Sequence, residues 1–580
     1  MRRFAILLVL GLLATPATAQ QAADALAPEG ATGILANPPV TARHWMVAAA
    51  NPLAAEAGAE MLRAGGNAID AMVAVQLVLG LVEPQSSGLG GGGFLVYWDA
   101  AARRLTTFDG RETAPMAATP TLFQDANGEP LKFLDAVIGG RSVGTPATPR
   151  LLETVHRRFG RLAWGRAFAP AIRLADEGFD VSPRLAGLIA AEAASLARFP
   201  PTRAYFLDAE GKPRSAGSRL ANPAYAATLR LLAEQGADAF YSGPLAGDIV
   251  RTVREAPGNP GVLALEDLAA YRVKEREPVC APYRGLDVCG MGPPSSGALT
   301  VGQILGLLQP YDLKALGASS VESWRLIADA SRLAFADRER YMADSDFVPM
   351  PTRGLLAPDY LAARAALLRG DDALPEVAPG TPKWDHAQRQ ADDESLELPS
   401  TSHISIVDAE GNVVSMTTTI EAGFGSRLMV GGFLLNNELT DFSFRTQKDG
   451  VPIANRVEPG KRPRSSMAPT LVMKDGRPLL ALGSPGGSQI IGYVAKTLIA
   501  HFDWGMDIGA AIAAPNILAR FGPVEIEQGT PAEGLAPGLK ALGFDVRSGP
   551  MTSGVQAILI GDGVLTGAAD PRREGAVIGD

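Results

Sequence analysis

About two thirds of the way along the chain runs Pro399-Ser400-Thr401-Ser402-His403-Ile404-Ser405. An acidic, proline-bearing stretch ends there and a hydroxyl residue opens a strand pattern. A cut before Thr401 would give that residue a free α-amine, so one residue would hold both a general base and a nucleophile. The ordinary pKa of such an amine, about 7.7 to 8.0, leaves it substantially neutral at working pH. No His–Asp pair is then needed, which suits a chain with 5 scattered histidines among 580 residues. Taken alone, the same residues also read as a plain strand start behind a linker.

Two other patterns invite a chemical reading and fail on context. Gly88-Leu89-Gly90-Gly91-Gly92-Gly93 contains G-x-G-x-x-G. A dinucleotide fingerprint needs a strand before it and a helix after it, whereas here a helical pattern precedes and Phe94-Leu95-Val96-Tyr97 follows. The alternative role is close backbone packing. Gly140-Arg141-Ser142-Val143-Gly144 matches a nucleophile elbow, but Thr145-Pro146-Ala147-Thr148-Pro149 blocks the helix that such a serine must open. No S-x-x-K occurs.

The elements that must position Thr401 follow from periodicity. Residues 404–407 and 413–420 flank Ala409-Glu410-Gly411-Asn412 as a hairpin, and 470–473 and 479–482 flank Lys474-Asp475-Gly476-Arg477-Pro478 as another. Residues 556–560 and 564–565 flank Gly561-Asp562-Gly563. Helical spacing runs over 53–63, 68–82 with Asn67 as N-cap, 320–344 and 488–502, and strands over 94–99 and 104–108. Residues 370–400, rich in Asp and Pro and poor in periodic apolar positions, read as a mobile linker. Helices and antiparallel hairpins in separate runs predict an α+β layered fold.

The chain carries 53 Lys+Arg against 62 Asp+Glu, a net charge of −9. This mild acidity gives no footprint for nucleic acid. Arg2-Arg3, an apolar run over 4–14 and Ala17-Thr18-Ala19 predict a secretory signal over residues 1–19, cut after Ala19. That run is shorter than the ~20 residues a membrane span needs, and nothing later qualifies. Cys280 and Cys289 read as a local disulfide in an exported protein, with a reduced structural pair as the alternative, and neither is expected to bind metal.

The motifs Asp109-Gly110-Arg111-Glu112-Thr113-Ala114-Pro115, Thr401-Ser402-His403, Thr419, Leu434-Leu435-Asn436-Asn437-Glu438-Leu439-Thr440-Asp441-Phe442, Lys461-Arg462-Pro463-Arg464-Ser465-Ser466-Met467-Ala468-Pro469-Thr470 and Gly483-Ser484-Pro485-Gly486-Gly487-Ser488 occur in an order and spacing that resembles the gamma-glutamyltransferase family. The resemblance implies an N-terminal-nucleophile hydrolase fold, a four-layer αββα sandwich built jointly by two autoprocessed subunits, residues 20–400 and 401–580. It implies that Thr401 takes the γ-glutamyl group from glutathione or a related donor and passes it to water or to an amino-acid or peptide amine, without cofactor or metal. Periplasmic export is expected, with extracellular release as the alternative.

Within that resemblance each matched residue acquires a physical role. Gly486 and Gly487 would offer backbone N–H groups to the oxyanion. Thr419 would orient the nucleophile. Arg111, with Ser465 and Ser466, would hold the donor α-carboxylate at one end of a pocket, and Glu421, Glu438 and Asp441 would hold the α-ammonium at the other. Lys461, Arg462 and Arg464 read as a solvated or structural cluster.

The chain also departs from the family pattern. Ser402 stands where threonine is common, Glu421 stands where many members have asparagine, and the segment 442–464 is short and lacks tyrosine. Cephalosporin (glutaryl) acylases are the alternative within the family, and the acids at 421, 438 and 441 favour the γ-glutamyl donor. A non-enzymatic alternative, an exported solute-binding protein, would need two doubly wound lobes that the hairpin-rich C-terminal third does not offer.

Overall fold

A computed structural model describes residues 37–580 apart from 385, 387, 388 and 399. The secretory signal expected over residues 1–19 lies outside the described residues. Two seven-stranded sheets form the centre, and every neighbouring pair of strands within them is antiparallel. The first sheet runs in the order Ala576–Gly579, Met46–Ala49, Ser402–Val407, Val413–Thr419, Gly92–Asp99, Arg104–Gly110, Lys274–Arg276. The second runs Val40–Ala42, Leu565–Ala569, Gln556–Ile560, Arg477–Gly483, Thr470–Lys474, Leu286–Gly290, Val279–Tyr283. Both sheets thus draw strands from each side of position 401.

Three cores make the four layers. Ile404 and Ile406 join the helices Pro52–Arg63 and Ala68–Val82 in one core. Val472, Leu480 and Leu482 join the helices Gly297–Leu308, Val321–Tyr341 and Ile490–Phe502 in another. Val96, Val407, Leu471, Ala481 and Ile558 fill the space between the sheets. The architecture is the αββα sandwich.

Local chemistry sets the element ends. Asn67 caps Ala68–Val82 in a reciprocal box with Asp70. At the hairpin turn, Asp408 Oδ1 accepts from the amides of Glu410 and Asn412, while Oδ2 accepts from Ala68 N at 2.9 Å. The turn is thereby pinned to the start of that helix.

Side chains alternate along a strand, so Ser402–Val407 divides its residues by parity. The even positions Ile404 and Ile406 face the helices, and the odd positions face the other sheet. His403 packs against Gly483, and Ser405 Oγ donates to the carbonyl of Gln556 at 3.1 Å. Thr401 belongs to the odd set.

Cys280 and Cys289 are directly opposed on adjacent strands and form a disulfide. No helix among the described residues is long and apolar enough to cross a membrane.

Candidate active site

The register of the central hairpin places Ser402 opposite Thr418, which brings Thr401 and Thr419 together where the two central strands of the sheet begin and end. Thr401 Oγ1 points at Thr419 Oγ1 across 3.4 Å, longer than the roughly 2.5 to 3.0 Å of a strong hydroxyl bond. Thr419 Oγ1 is itself fixed by the amide of Glu421 at 2.8 Å. Thr401 has a φ of 157°, a region that β-branched residues occupy only at a cost.

Nine of the ten expected residues line one cavity: Arg111, Thr401, Thr419, Glu421, Glu438, Asp441, Ser465, Ser466 and Gly487. Gly486 lies behind its wall. Its φ of 132° suits only glycine, and a Cβ there would sit 2.8 Å from the Tyr493 ring. Gly487 opens a short helical turn that runs into Ile490–Phe502. The first N–H groups of a helix have no acceptor within it, so this end presents donors and a partial positive charge to the cavity.

The two glycine-bearing motifs that fail as nucleotide and nucleophile sites pack behind the residues that line the cavity. Asn436 Nδ2 donates to the carbonyls of Gly90 and Gly144 at 2.7 and 3.0 Å, while its Oδ1 accepts from the amides of Gly144 and Glu438. Gly91 packs so close to the Thr419 carbonyl that a Cβ would lie 2.0 Å from it. Ser142 Oγ donates to the Val137 carbonyl at 2.6 Å and is fully buried, so it is no nucleophile elbow.

The charge arrangement differs from the expected one. Arg111 and the acids do not face each other from opposite ends, because the guanidinium bonds directly to Glu438 and Asp441. It also donates to the carbonyls of Pro463 at 3.2 Å and Arg464 at 2.9 Å. The reason is desolvation: a buried guanidinium without a counter-charge is too costly, and these carboxylates are within reach. Asn437 holds Glu421.

Several carboxyls therefore compete for one cation. Burial first, then the charges of Asp441 and Glu438, hold Glu421 well above the usual carboxylate range. Burial likewise raises Glu438 against the pull of Arg111. It raises Asp441 to about 8, with Arg111 opposing and Glu438 and Glu397 adding.

Sequence reasoning missed Glu112, Glu397, Leu398 and Ser400. Glu112 is buried beside Arg111, where desolvation and then the Glu438 charge push its pKa well up. The other three line the cavity. Among its described residues the stretch 370–400 carries no helix or strand, but its last part is held in place. Leu398 N donates to Glu421 at 3.3 Å and Ser400 Oγ to the Gln85 carbonyl at 3.0 Å. Lys461, Arg462 and Arg464 are buried structural cations: Lys461 bonds the Ala454 carbonyl, Arg462 lies 3.3 Å from Asp109, and Arg464 lies 3.2 Å from Asp393.

Comparison with known proteins adds an independent line. A family model described as Gamma-glutamyltranspeptidase matches residues 54–580. The glutathione hydrolase proenzyme of Bacillus subtilis strain 168 is 38% identical over 550 residues, covering 93% of this chain and 92% of the relative. That of Escherichia coli strain K12 is 36% identical over 550 residues, covering 92% and 91%. Among solved structures, the cephalosporin acylase from Bacillus halodurans superposes with a TM-score of 0.83 at 28% identity, covering 95% of this chain and 99% of that one.

Proposed function

The chain belongs to the gamma-glutamyltranspeptidase family, and from that premise we propose that it is a glutathione hydrolase and γ-glutamyl acyltransferase, cut before Thr401 into two chains that stay associated. The observation that carries this reading is the pairing of Thr401 with Thr419 in a cavity lined by one arginine and four acids, Glu397, Glu421, Glu438 and Asp441.

In the uncut chain Thr401 Oγ attacks the Ser400 carbonyl, the peptide bond to Thr401 breaks, and its nitrogen becomes the free amine. Water then hydrolyses the resulting ester. In the cut enzyme the amine takes the hydroxyl proton as Oγ attacks the donor γ-carbonyl, and it returns that proton to the departing amine. Gly487 N–H, with Gly486 shaping the turn and adding its own N–H, stabilises the oxyanion. Water or an acceptor amine then takes the γ-glutamyl group from the threonine ester.

A zwitterionic head group suits the charges. Its carboxylate pairs with Arg111, Ser465 and Ser466 while its ammonium pairs with Glu421, Glu438 and Asp441, so internal ion pairs are exchanged for external ones and the charge count stays balanced. The residues 1–19 pattern supports export to the periplasm.

Intact mass with N-terminal sequencing, alongside glutamate release from glutathione, tests the reading. Wild type is expected as two chains, one beginning Thr401-Ser402-His403, and Thr401→Ala as one inactive chain. A single wild-type chain that still released glutamate would overturn it.

A further inference from the structure

The turn that aims the oxyanion donors has little stiffness of its own. Gly486 and Gly487 both have positive φ, 132° and 54°, and neither has a side chain to hold the backbone. The first side chain after them belongs to Ser488, inside the short helical turn Gly487–Gln489. Ser488 is fully buried, and its Oγ accepts from Arg520 Nη1 at 2.6 Å. Gln489 accepts from the Tyr493 hydroxyl at 2.8 Å, but Tyr493 lies on the helix Ile490–Phe502 that the turn itself opens. That bond therefore ties the turn to no other element, whereas the bond from Arg520 does.

Arg520 reaches the turn from outside the sandwich. It follows the strand Ile517–Ala519, which pairs antiparallel with Val524–Glu527 in a separate three-stranded sheet. That sheet packs on the helix Ile490–Phe502, where a Cβ on Gly492 would lie 2.5 Å from Leu518. The Arg520 guanidinium is buried, and its Nη2 donates to both oxygens of Glu525 at 3.0 and 2.7 Å. A planar fork gripped by a carboxylate has its other N–H directions set, and a charge-assisted bond is stronger than a neutral one.

A cation beside a helix N-terminus is opposed by the helix dipole, so helix stability does not account for an arginine there. Glu525 neutralises the charge, which leaves the hydrogen bond as what Arg520 brings to the turn. Neither Arg520 nor Ser488 lines the cavity, so neither touches a donor or its oxyanion. Ser488 directly follows Gly487, however, and two glycines before it offer no resistance to a tilt of the peptides between them.

We infer that Arg520 is a positioning residue for the oxyanion turn, acting through Ser488 and itself held by Glu525. The inference rests on the reading that the chain is cut before Thr401 and that the Gly487 N–H, with that of Gly486, meets the oxyanion. The group these donors stabilise exists only in the transition state, so a loss of aim falls on kcat and leaves KM in place.

The test uses the full enzyme after a gel has shown two chains. Values of kcat and KM for a γ-glutamyl donor are measured in wild type, Ser488→Ala, Arg520→Met and the double variant, methionine filling the space of the arginine stem without a donor. Each single change is expected to lower kcat about tenfold or more with KM held within about threefold. The double variant is expected to fall no more than about threefold below the less active single one, because both changes cut the same connection. Losses that multiply in the double variant overturn the inference, since Arg520 then acts by another route. An unchanged kcat in either single variant overturns it too, as does a loss carried by KM.

Should Arg520→Met fail to accumulate or to cut, Glu525→Gln decides. It keeps the shape of the partner and removes the charge that sets the fork, so kcat should fall about threefold or more at an unchanged KM, with no further loss when Ser488→Ala is added. An unchanged kcat, or losses that multiply, overturns the inference. A wild type that remains a single chain, or a Gly486→Ala enzyme with full kcat, overturns instead the reading beneath it, and these two controls show which has failed.

Discussion

Arg111 and Glu438, 327 residues apart in the chain, are bonded to each other inside the cavity that holds Thr401. Asp441 takes another arm of the same guanidinium. One guanidinium cannot balance Glu421, Glu438 and Asp441 all ionised, and the consequence is a dependence of stability on pH. Unfolded, Asp441 loses its proton near the ordinary value of about 3.9. Folded, it keeps that proton to about 8, chiefly through burial. A raised carboxyl pKa contributes stability that is fully present below the unfolded value and is lost as pH rises through the folded one.

Asp441→Asn removes that loss. Its thermal midpoint should exceed that of wild type by more at pH 8 than at pH 5, while kcat/KM for a γ-glutamyl donor falls on the order of 100-fold through the lost ammonium partner. Thermal unfolding at the two pH values checks the first part, and a difference that does not change with pH would contradict it.

Gly486 governs the turn that carries the Gly487 N–H into the cavity. Gly486→Ala must place a Cβ 2.8 Å from the Tyr493 ring at a φ of 132°. The turn should shift and misaim the donors, with a kcat loss on the order of 100-fold and KM held within about threefold, because the oxyanion exists only in the transition state. Adding Tyr493→Leu relieves the crowding but not the dihedral, so activity should stay low. Recovery in the double variant would mean that sterics alone, not the backbone conformation, set the glycine requirement.

Much of the fold was legible because its signals are local. The alternation of Ser402–Val407 and Val413–Thr419, the Asn67 cap and the apolar phase of Val321–Tyr341 all depend on neighbours within a few residues. Thr401 and the acids that share its cavity were legible as residue types in a spaced pattern. Their mutual geometry was not, because an ion pair such as Arg111 with Glu438 is settled by how distant segments pack and by the cost of burying an unmatched charge.

Arg520 leaves no local trace either, because its bond to Ser488 joins segments 32 residues apart. The role of the glycine-rich stretch emerges only in three dimensions, where Gly90 and Gly91 meet Asn436 and Thr419.

Donor choice follows from the acids. A glutaryl donor is a γ-glutamyl donor without its α-ammonium, so binding it would leave Glu421, Glu438 and Asp441 without the added cation. Wild type should prefer the γ-glutamyl compound by about 100-fold or more in kcat/KM, since a site built for a polar group rejects the analogue lacking it. The double variant Glu438→Gln, Asp441→Asn should narrow that ratio at least tenfold, mainly by losing the γ-glutamyl reaction. Paired assays with matched leaving groups measure it, and a wild-type preference for glutaryl would move the protein to the acylase branch.

The imidazole two residues beyond Thr401 predicts the acid limit of the fold. His403 lies between the sheets with Nδ1 2.9 Å from Thr417 Oγ1 and Nε2 3.1 Å from Ser405 Oγ, and burial lowers its pKa to about 3. In the unfolded chain it protonates near 6.5. A depressed pKa of this kind supplies stability above pH 6.5 that is lost as pH falls toward 3, by about 1.4 kcal/mol for each pH unit. His403→Gln should cost roughly 1 to 3 kcal/mol at pH 7 through poorer hydrogen bonding, and less at each lower pH because the variant has no such proton to gain. Urea unfolding at pH 7, 5.5 and 4, performed in a Thr401→Ala background so that one uncut chain unfolds, reads the difference directly. A stability gap between the two proteins, with and without His403→Gln, that stayed constant across that range would show that the buried imidazole titrates as it does in the unfolded chain.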